Sequence, residues 1–183
     1  MLIADAQREI RQAYIGGFMG QFVSAVLWIA TAVMATWGSS RDAIILVVLG
    51  GMLIFPLTRL GLLAIGHRVT ITPGNQLNGL AMQVAFTLPL SLPVVGAAAL
   101  YRLEWFFPAF MIVLGAHYLP FVFLYGMRMF AALCALLVSA GIMLALYVPL
   151  GFAAGAWVTA GLLLVFAFAG RWVAVAEARA SAA

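Results

Sequence analysis

The chain has 183 residues, of which 67% are hydrophobic and 8% are charged, and its mean hydropathy is +1.17. A soluble domain carries about 25% charged residues, so the composition excludes a soluble globular protein and predicts an integral membrane protein whose first partner is the lipid bilayer. Nine arginines and five carboxylates, with no lysine, are spread thinly along the chain. This dispersion excludes a nucleic-acid-binding patch, and we expect no nucleic acid partner.

The apolar runs predict an all-α fold, a polytopic transmembrane helical bundle of about six helices. Six spans of about 20 residues with short connections fill almost the whole chain and leave no room for a separate soluble domain. We place the transmembrane domain at 14–173, with its spans at 14–37, 43–66, 78–100, 105–127, 129–148 and 152–173.

Residues 1–13 combine acidic and basic side chains with an apolar residue at every third or fourth position. This spacing predicts a short amphipathic helix on the cytoplasmic side. A cleavable signal peptide would place basic residues before a short apolar stretch, so we expect the run from Tyr14 to Trp37 to be an uncleaved first span.

The third predicted span leaves the number of crossings open. The third span contains Pro89 and Pro93, which predict a kink of this helix within the membrane. The alternative is that the third segment is re-entrant, which would leave five crossings. The segment from His67 to Leu77 is the longest polar connection, and residues 174–183 are predicted to be a short cytoplasmic tail.

The distribution of arginines predicts the orientation, because cytoplasmic loops are enriched in basic residues. With the N-terminus inside, six arginines lie on the cytoplasmic side and Arg41 and Arg102 lie outside. Both termini are therefore predicted to be cytoplasmic. The six inner arginines are Arg8, Arg11, Arg68, Arg128, Arg171 and Arg179.

Arg59 is the charged residue predicted within the membrane, where such groups are rare and often functional. All five carboxylates fall in tails or loops, so Arg59 has no predicted acidic partner at its depth. Gln21 and Gln83 fall at a similar depth, and the three side chains together would suit an anion or a lipid phosphate. The alternatives are an arginine that snorkels to the headgroups and glutamines that hydrogen-bond between helices.

His117 lies in the middle of the fourth span and could relay a proton or gate a cavity, with Tyr118 and Tyr125 as partners. A hydrogen bond to a neighbouring helix is the alternative. Haem would need a second axial ligand, and Cys134 is the single cysteine, so we expect no cofactor and no metal site.

No nucleophile with a base, phosphate loop or carboxylate pair is evident, which makes an enzyme the less favoured class. Small residues recur at four-residue spacing and permit close helix contact, within the chain or in a homo-oligomer. The pairs are Gly16 with Gly20, Gly141 with Ala145, Gly151 with Gly155 and Ala156 with Ala160.

Three segments carry a resemblance that covers most of the chain: the string from Asp5 to Leu27, the stretch from Gly50 to Leu57, and the stretch from Gly115 to Pro120 that leads to Leu124-Tyr125-Gly126. In these the chain resembles a family of uncharacterised small bacterial multi-pass integral membrane proteins, a domain of unknown function. The resemblance implies a location in the bacterial inner (plasma) membrane and no particular activity.

Two functional hypotheses follow. The first is a small transporter or channel for an anion or amphiphile, with Arg59 as its anchor and Gln21, Gln83 and His117 along the path. The second is a non-transporting module that binds a lipid or a partner protein. A water-filled cavity that reaches Arg59 would favour the first, and an Arg59 directed at the inner leaflet would favour the second.

Overall fold

The computed structural model describes residues 1–148 and 150–180, and within these ranges the chain is helical and contains no β-strand. Two 3₁₀ turns, Ile15–Gly17 and Leu103–Trp105, precede the second and sixth helices. The helices are α1 (Ile3–Ala13), α2 (Phe18–Trp37), α3 (Ser40–Gly51), α4 (Ile54–Ala64), α5 (Gln76–Tyr101), α6 (Phe106–Tyr118), α7 (Phe121–Tyr125), α8 (Met129–Leu146) and α9 (Ala154–Ala180).

The predicted polytopic helical bundle is confirmed. Five helical segments of the described chain are long and apolar enough to cross a membrane, and they become six when α3 and α4 are counted as one span bent by 62°. The segments are Ile15–Trp37, Gln76–Tyr101, Leu103–Tyr125, Met129–Leu146 and Ala154–Ala180, with the bent pair Ser40–Gly51 and Ile54–Ala64.

The bent pair runs antiparallel to α2 along the full length of that helix. A Cβ at Gly50 would lie 2.4 Å from Leu27, and a Cβ at Gly61 would lie 2.6 Å from Met19. Beyond α4, the His67 Nε2 atom lies 3.1 Å from the carbonyl oxygen of Ala13, just before α2 begins. The pair therefore starts at one end of α2 and finishes at the other, so it is a broken span and not a re-entrant loop.

The third predicted span, which contains the two prolines, is one continuous helix, in contrast to the re-entrant alternative. α5 is a single helix of 26 residues that continues through Pro89 and Pro93. The main break lies instead in the second predicted span, where residues 52 and 53 interrupt the helix. In the most apolar stretch of α5 only 11% of the residues are buried in the protein, compared with 44% in the segment that contains α2. α5 is therefore a peripheral helix.

Close backbone contacts hold two antiparallel helix pairs at the centre, α2 with α9 and α6 with α8. A Cβ at Gly16 would lie 2.4 Å from the carbonyl oxygen of Gly170, and a Cβ at Gly141 would lie 2.7 Å from that of Pro108. Ala156 and Ala160 are also buried. These small residues serve packing within the chain, and the homo-oligomer stays a prediction.

The helices differ in two places from the spans read from the sequence. The fourth segment is divided at Leu119 and Pro120 into α6 and α7, and Gly126 ends α7 with φ +64°. The last helix continues through most of the predicted tail to Ala180. Pro149, in the predicted connection before the last span, and residues 181–183 of the tail lie outside the described residues.

Candidate functional site

The amphipathic helix α1 packs against the bundle. Its apolar face carries Ala6, Ile10 and Ala13, all of which are buried, and Ile10 has no exposed surface. An amphipathic helix that lay on the membrane would direct this face into the lipid. Here the same face completes the protein core, so α1 closes one end of the bundle.

The polar face of α1 binds the connection between α4 and α5. One carboxylate oxygen of Glu9 accepts hydrogen bonds from the Thr72 backbone N–H at 2.7 Å and from the Thr72 hydroxyl at 2.5 Å. The other accepts a bond of 2.7 Å from the side-chain amide of Asn75. Asn75 also caps α5, because its Oδ1 accepts the N–H of Leu77. The start of α5 is thus tied directly to α1.

A second set of bonds joins α1 to α7 and α9. The Arg11 guanidinium donates to both carboxylate oxygens of Glu177, with N–O distances of 2.6 Å, and it also donates to the carbonyl oxygen of Tyr125. The side-chain amide of Gln7 donates to the carbonyl oxygen of Phe123 at 2.5 Å. Both carbonyls belong to the last turn of α7, so α1 also satisfies acceptors that helix ends leave open.

These contacts bring α1, the 65–75 connection, the end of α7 and the end of α9 to one end of the bundle. We call this the basic end, defined by Arg8, Arg11, Arg68, Arg128, Arg171 and Arg179. Arg41 and Arg102 follow the far ends of α2 and α5. The arginines that the sequence assigned to one side thus share one end, while their cytoplasmic placement stays a prediction.

A shallow, open cleft lies on the outer face of α9 at the basic end, and all of its lining residues belong to that helix. Arg171 and Arg179 flank it, and the exposed Trp172 and half-exposed Phe168 form its apolar part together with Val175. The Arg171 guanidinium lies 5.0 Å from the ring centroid of Phe18, a cation–π contact that positions the charge. No carboxylate lines this cleft within the described chain, so its charge is positive.

A second cleft, of about 340 Å³, lies between the end of α7 and the last turns of α9. Arg11 and Glu177 neutralise each other there, so Arg128 supplies the remaining charge. It is therefore a weaker candidate anion site than the α9 cleft. Its lining residues are Arg11, Gly126, Met127, Arg128, Met129, Val173 and Glu177.

The structure does not bring the predicted layer of Arg59, Gln21 and Gln83 together around a cavity. Gln21 is buried, with 3% of its surface exposed, whereas Arg59 and Gln83 lie on the outer surface of α4 and α5. The residue before Arg59, Thr58, faces α2 instead, 3.7 Å from where a Cβ of Gly20 would lie. None of the three predicted side chains lines either cleft.

His117, Tyr118 and Tyr125 form part of an aromatic cluster with Phe121 and Phe130. The Tyr118 and Phe130 rings are stacked with centroids 6.2 Å apart, and the His117 and Phe121 centroids lie 5.2 Å apart. His117 Nδ1 also lies 3.0 Å from the hydroxyl oxygen of Thr87 in α5. The histidine thus makes the interhelical hydrogen bond that the sequence left open as its alternative role.

The α9 cleft was not recognised from the sequence, in which Arg171 and Arg179 served only as evidence of orientation. The two arginines are eight residues apart, Phe168 comes three residues before the first, and Trp172 directly follows it. This spacing places all four side chains on neighbouring faces of one helix. This combination of two arginines and two aromatic residues on one side of a helix was the signal in the sequence that could have indicated the cleft. The described residues contain no group of three His, Cys, Asp or Glu side chains that could hold a metal ion.

The chain belongs to a family of unknown function, DUF7010, whose model matches residues 3–171. No curated protein and no solved structure matches the chain.

Proposed function

We propose that this member of a family of unknown function is a non-transporting membrane module that binds an anionic lipid headgroup in the α9 cleft. The proposed location is the bacterial plasma membrane, with the basic end in the cytoplasm, where anionic lipids and juxtamembrane basic residues attract each other. The observation that carries the proposal is the pairing of Arg171 and Arg179 around Trp172 and Phe168.

The chemistry of the cleft matches a lipid headgroup with its upper acyl chain. Guanidinium groups bind phosphate oxygens through paired hydrogen bonds, and tryptophan favours the boundary between headgroups and hydrocarbon. Trp172 is 74% exposed, so its ring is available to a lipid. A phosphate between Arg171 and Arg179 would leave the acyl chain beside Trp172 and Phe168.

The position of the cleft along α9 supports the same interpretation. At about 1.5 Å per residue, Arg171 lies about 26 Å from the start of the helix at Ala154. Trp157, one turn into α9, packs edge-on against Trp37 at the opposite end, where an aromatic pair suits the other interface. With a hydrocarbon core of about 30 Å, we expect Arg171 to lie near its inner boundary and Arg179 to lie among the headgroups.

The placement of Arg59 favours binding over transport. Arg59 is exposed in α4, seven residues before Gly66, and its side chain can reach the headgroups along its own helix. No cleft described above connects Arg59 with Gln21, Gln83 or His117. The hypothesis of a transporter or channel anchored by Arg59 therefore has less structural support than lipid binding.

The test is a binding assay on the purified full-length protein in neutral detergent. Titration with short-chain phosphatidylglycerol, compared with phosphatidylcholine, should show a preference for the anionic lipid that weakens as salt is added. At about 1 kcal/mol for each arginine, the variant Arg171→Gln/Arg179→Gln should bind phosphatidylglycerol about 30-fold more weakly. Native mass spectrometry of retained lipid provides a second measurement.

Arg102→Gln is the matched control, because Arg102 also lies beside a tryptophan, 6.0 Å from the Trp105 ring, at the opposite end of the bundle. This variant should bind phosphatidylglycerol as the wild type does. Equal binding of both lipids by the wild type, or unchanged binding by the double variant, would overturn the proposal. An anion flux in proteoliposomes that Arg59→Gln abolishes would replace it with the transport hypothesis.

A further inference from the structure

Gln21 is a buried amide without a protein partner. Its side chain is 3% exposed, and neither Nε2 nor Oε1 has a hydrogen-bond partner among the described residues. Buried side-chain amides in folded proteins are nearly always hydrogen-bonded, to protein or to ordered water. At membrane depth the requirement is stricter, because bulk water cannot reach the group.

The neighbours of Gln21 on α2 carry hydroxyl groups to either side of it. Gly17, one turn earlier, lies beside Tyr125, whose hydroxyl oxygen is 3.8 Å from the position of a Gly17 Cβ. Ser24, one turn later, interacts with the hydroxyl of Tyr118. Positions 17, 21 and 24 follow the four- and three-residue spacing of a single helix face. Gln21 therefore lies between the levels of the hydroxyl groups of two buried tyrosines.

We infer that Gln21 is part of an internal hydration site, in which ordered water bridges its amide to the hydroxyls of Tyr118, Tyr125 and Ser24. A buried water needs two to four polar partners, and these side chains supply both donors and acceptors. The two clefts described above lie elsewhere, at the basic end, and Gln21 is only 3% exposed, so the partner that we assign to its amide is a water molecule. The site is independent of lipid binding in the α9 cleft.

The sign of a stability change tests the inference. If the amide is satisfied by bridging water, Gln21→Met removes those bonds and should lower the thermal midpoint of the protein in nanodiscs by several degrees. The matched control is Gln83→Met, the same change at an exposed glutamine, which should leave the midpoint unchanged or raise it. A Gln21→Met midpoint equal to or above that of the wild type would overturn the inference.

Shared water also predicts coupling between side chains. Tyr125→Phe should lower the thermal midpoint by itself, but the double variant Gln21→Met/Tyr125→Phe should lose less than the two single losses together. Fully additive losses would show that the two side chains do not share a water, and would count against the bridged arrangement.

A measurement on the wild type keeps the inference testable if a variant fails to fold. Glutamine side chains labelled with ¹⁵N should include one NH₂ group that shows magnetisation transfer from water and disappears from the Gln21→Met spectrum. An assigned Gln21 NH₂ that contacts only protein protons would overturn the inference.

Discussion

Arg11 in α1 and Glu177 in α9 form a two-pronged ion pair across 166 positions of the chain, with both N–O distances at 2.6 Å. The Arg11 side chain is 12% exposed and that of Glu177 is 32% exposed. Since Arg11 also donates to the Tyr125 carbonyl, this single guanidinium holds the first helix, the end of α7 and the last helix together. The pair therefore fixes the closure of the basic end.

Arg11→Gln should lower the free energy of unfolding by about 1–3 kcal/mol, because it leaves the Tyr125 carbonyl and Glu177 with weaker partners. Thermal unfolding in nanodiscs measures the change. Arg8→Gln is the control, since Arg8 is 53% exposed and lies 3.8 Å from Asp5 and 4.0 Å from Glu177, and exposed pairs of this kind contribute little. Equal losses in the two variants would contradict the assigned role of Arg11.

Glu9 predicts a dependence of stability on pH. Hydrogen bonds from the side chains of Thr72 and Asn75 and from the Thr72 backbone hold the pKa of Glu9 below its ordinary value of 4.5. A carboxyl group with a lowered pKa in the folded state stabilises the protein above pH 4.5, and that contribution is lost as pH falls through the lowered value. The attachment of α1 to the 65–75 connection should therefore weaken in acid.

Thermal midpoints measured between about pH 3 and pH 7 test this expectation. Glu9→Gln should be less stable than the wild type at pH 7, and the difference between the two proteins should shrink towards pH 3. The control is Asp5→Asn, at an exposed carboxylate in the same helix. A difference that stays constant over the whole range would show that the charge of Glu9 is not what stabilises the contact.

The helical class could be predicted because membrane spans depend on local composition, which the sequence displays directly. The role of α1 could not, because the same amphipathic pattern suits a helix on the bilayer surface and a helix packed on protein. What decides between them is a set of partners far along the chain, such as Thr72, Phe123 and Glu177. Hydrophobic periodicity does not identify partners at that distance.

The same limit applies to the predicted site. Depth along a helix can be counted from the sequence, and this count grouped Arg59, Gln21 and Gln83 as polar groups within predicted spans. The direction of each side chain depends on how the helices rotate against each other, and nearly uniform apolar helices carry little information on rotation. Gln21 therefore proves to be buried, while Arg59 and Gln83 face outwards.

The contact between Gly16 and Gly170 predicts that these two positions tolerate no side chain. A Cβ at Gly170 would lie 2.6 Å from the carbonyl oxygen of Gly16, and Gly16 itself has φ +63°. Gly170→Ala should separate α9 from the turn before α2 and lower the free energy of unfolding by about 1–3 kcal/mol.

Gly161→Ala is the control in the same helix, because a Cβ at Gly161 would meet no atom within 4 Å. This change should be neutral or stabilising, since alanine is the better helix former. Thermal unfolding of both variants checks the prediction, and a Gly170→Ala protein as stable as Gly161→Ala would show that the two backbones are not in close contact.

The hydrogen bond between Thr87 and His117 predicts which ring nitrogen of the histidine carries a proton. The Thr87 hydroxyl has one proton, which it donates to the Val84 carbonyl at 2.7 Å, so its oxygen accepts from His117 Nδ1–H at 3.0 Å. His117→Asn can place an amide N–H near Nδ1 and should keep most of the stability, whereas His117→Gln reaches the Nε2 position and should lose the bond to α5.

Because α5 is the least buried of the long helices, the loss of this bond should be visible as local opening. Hydrogen exchange in nanodiscs should be faster for the α5 amides around Thr87 in His117→Gln and in Thr87→Val than in His117→Asn. The α8 amides, which belong to the central pair, serve as the internal reference. Equal protection of α5 in the Asn and Gln variants would contradict the assignment of the proton to Nδ1.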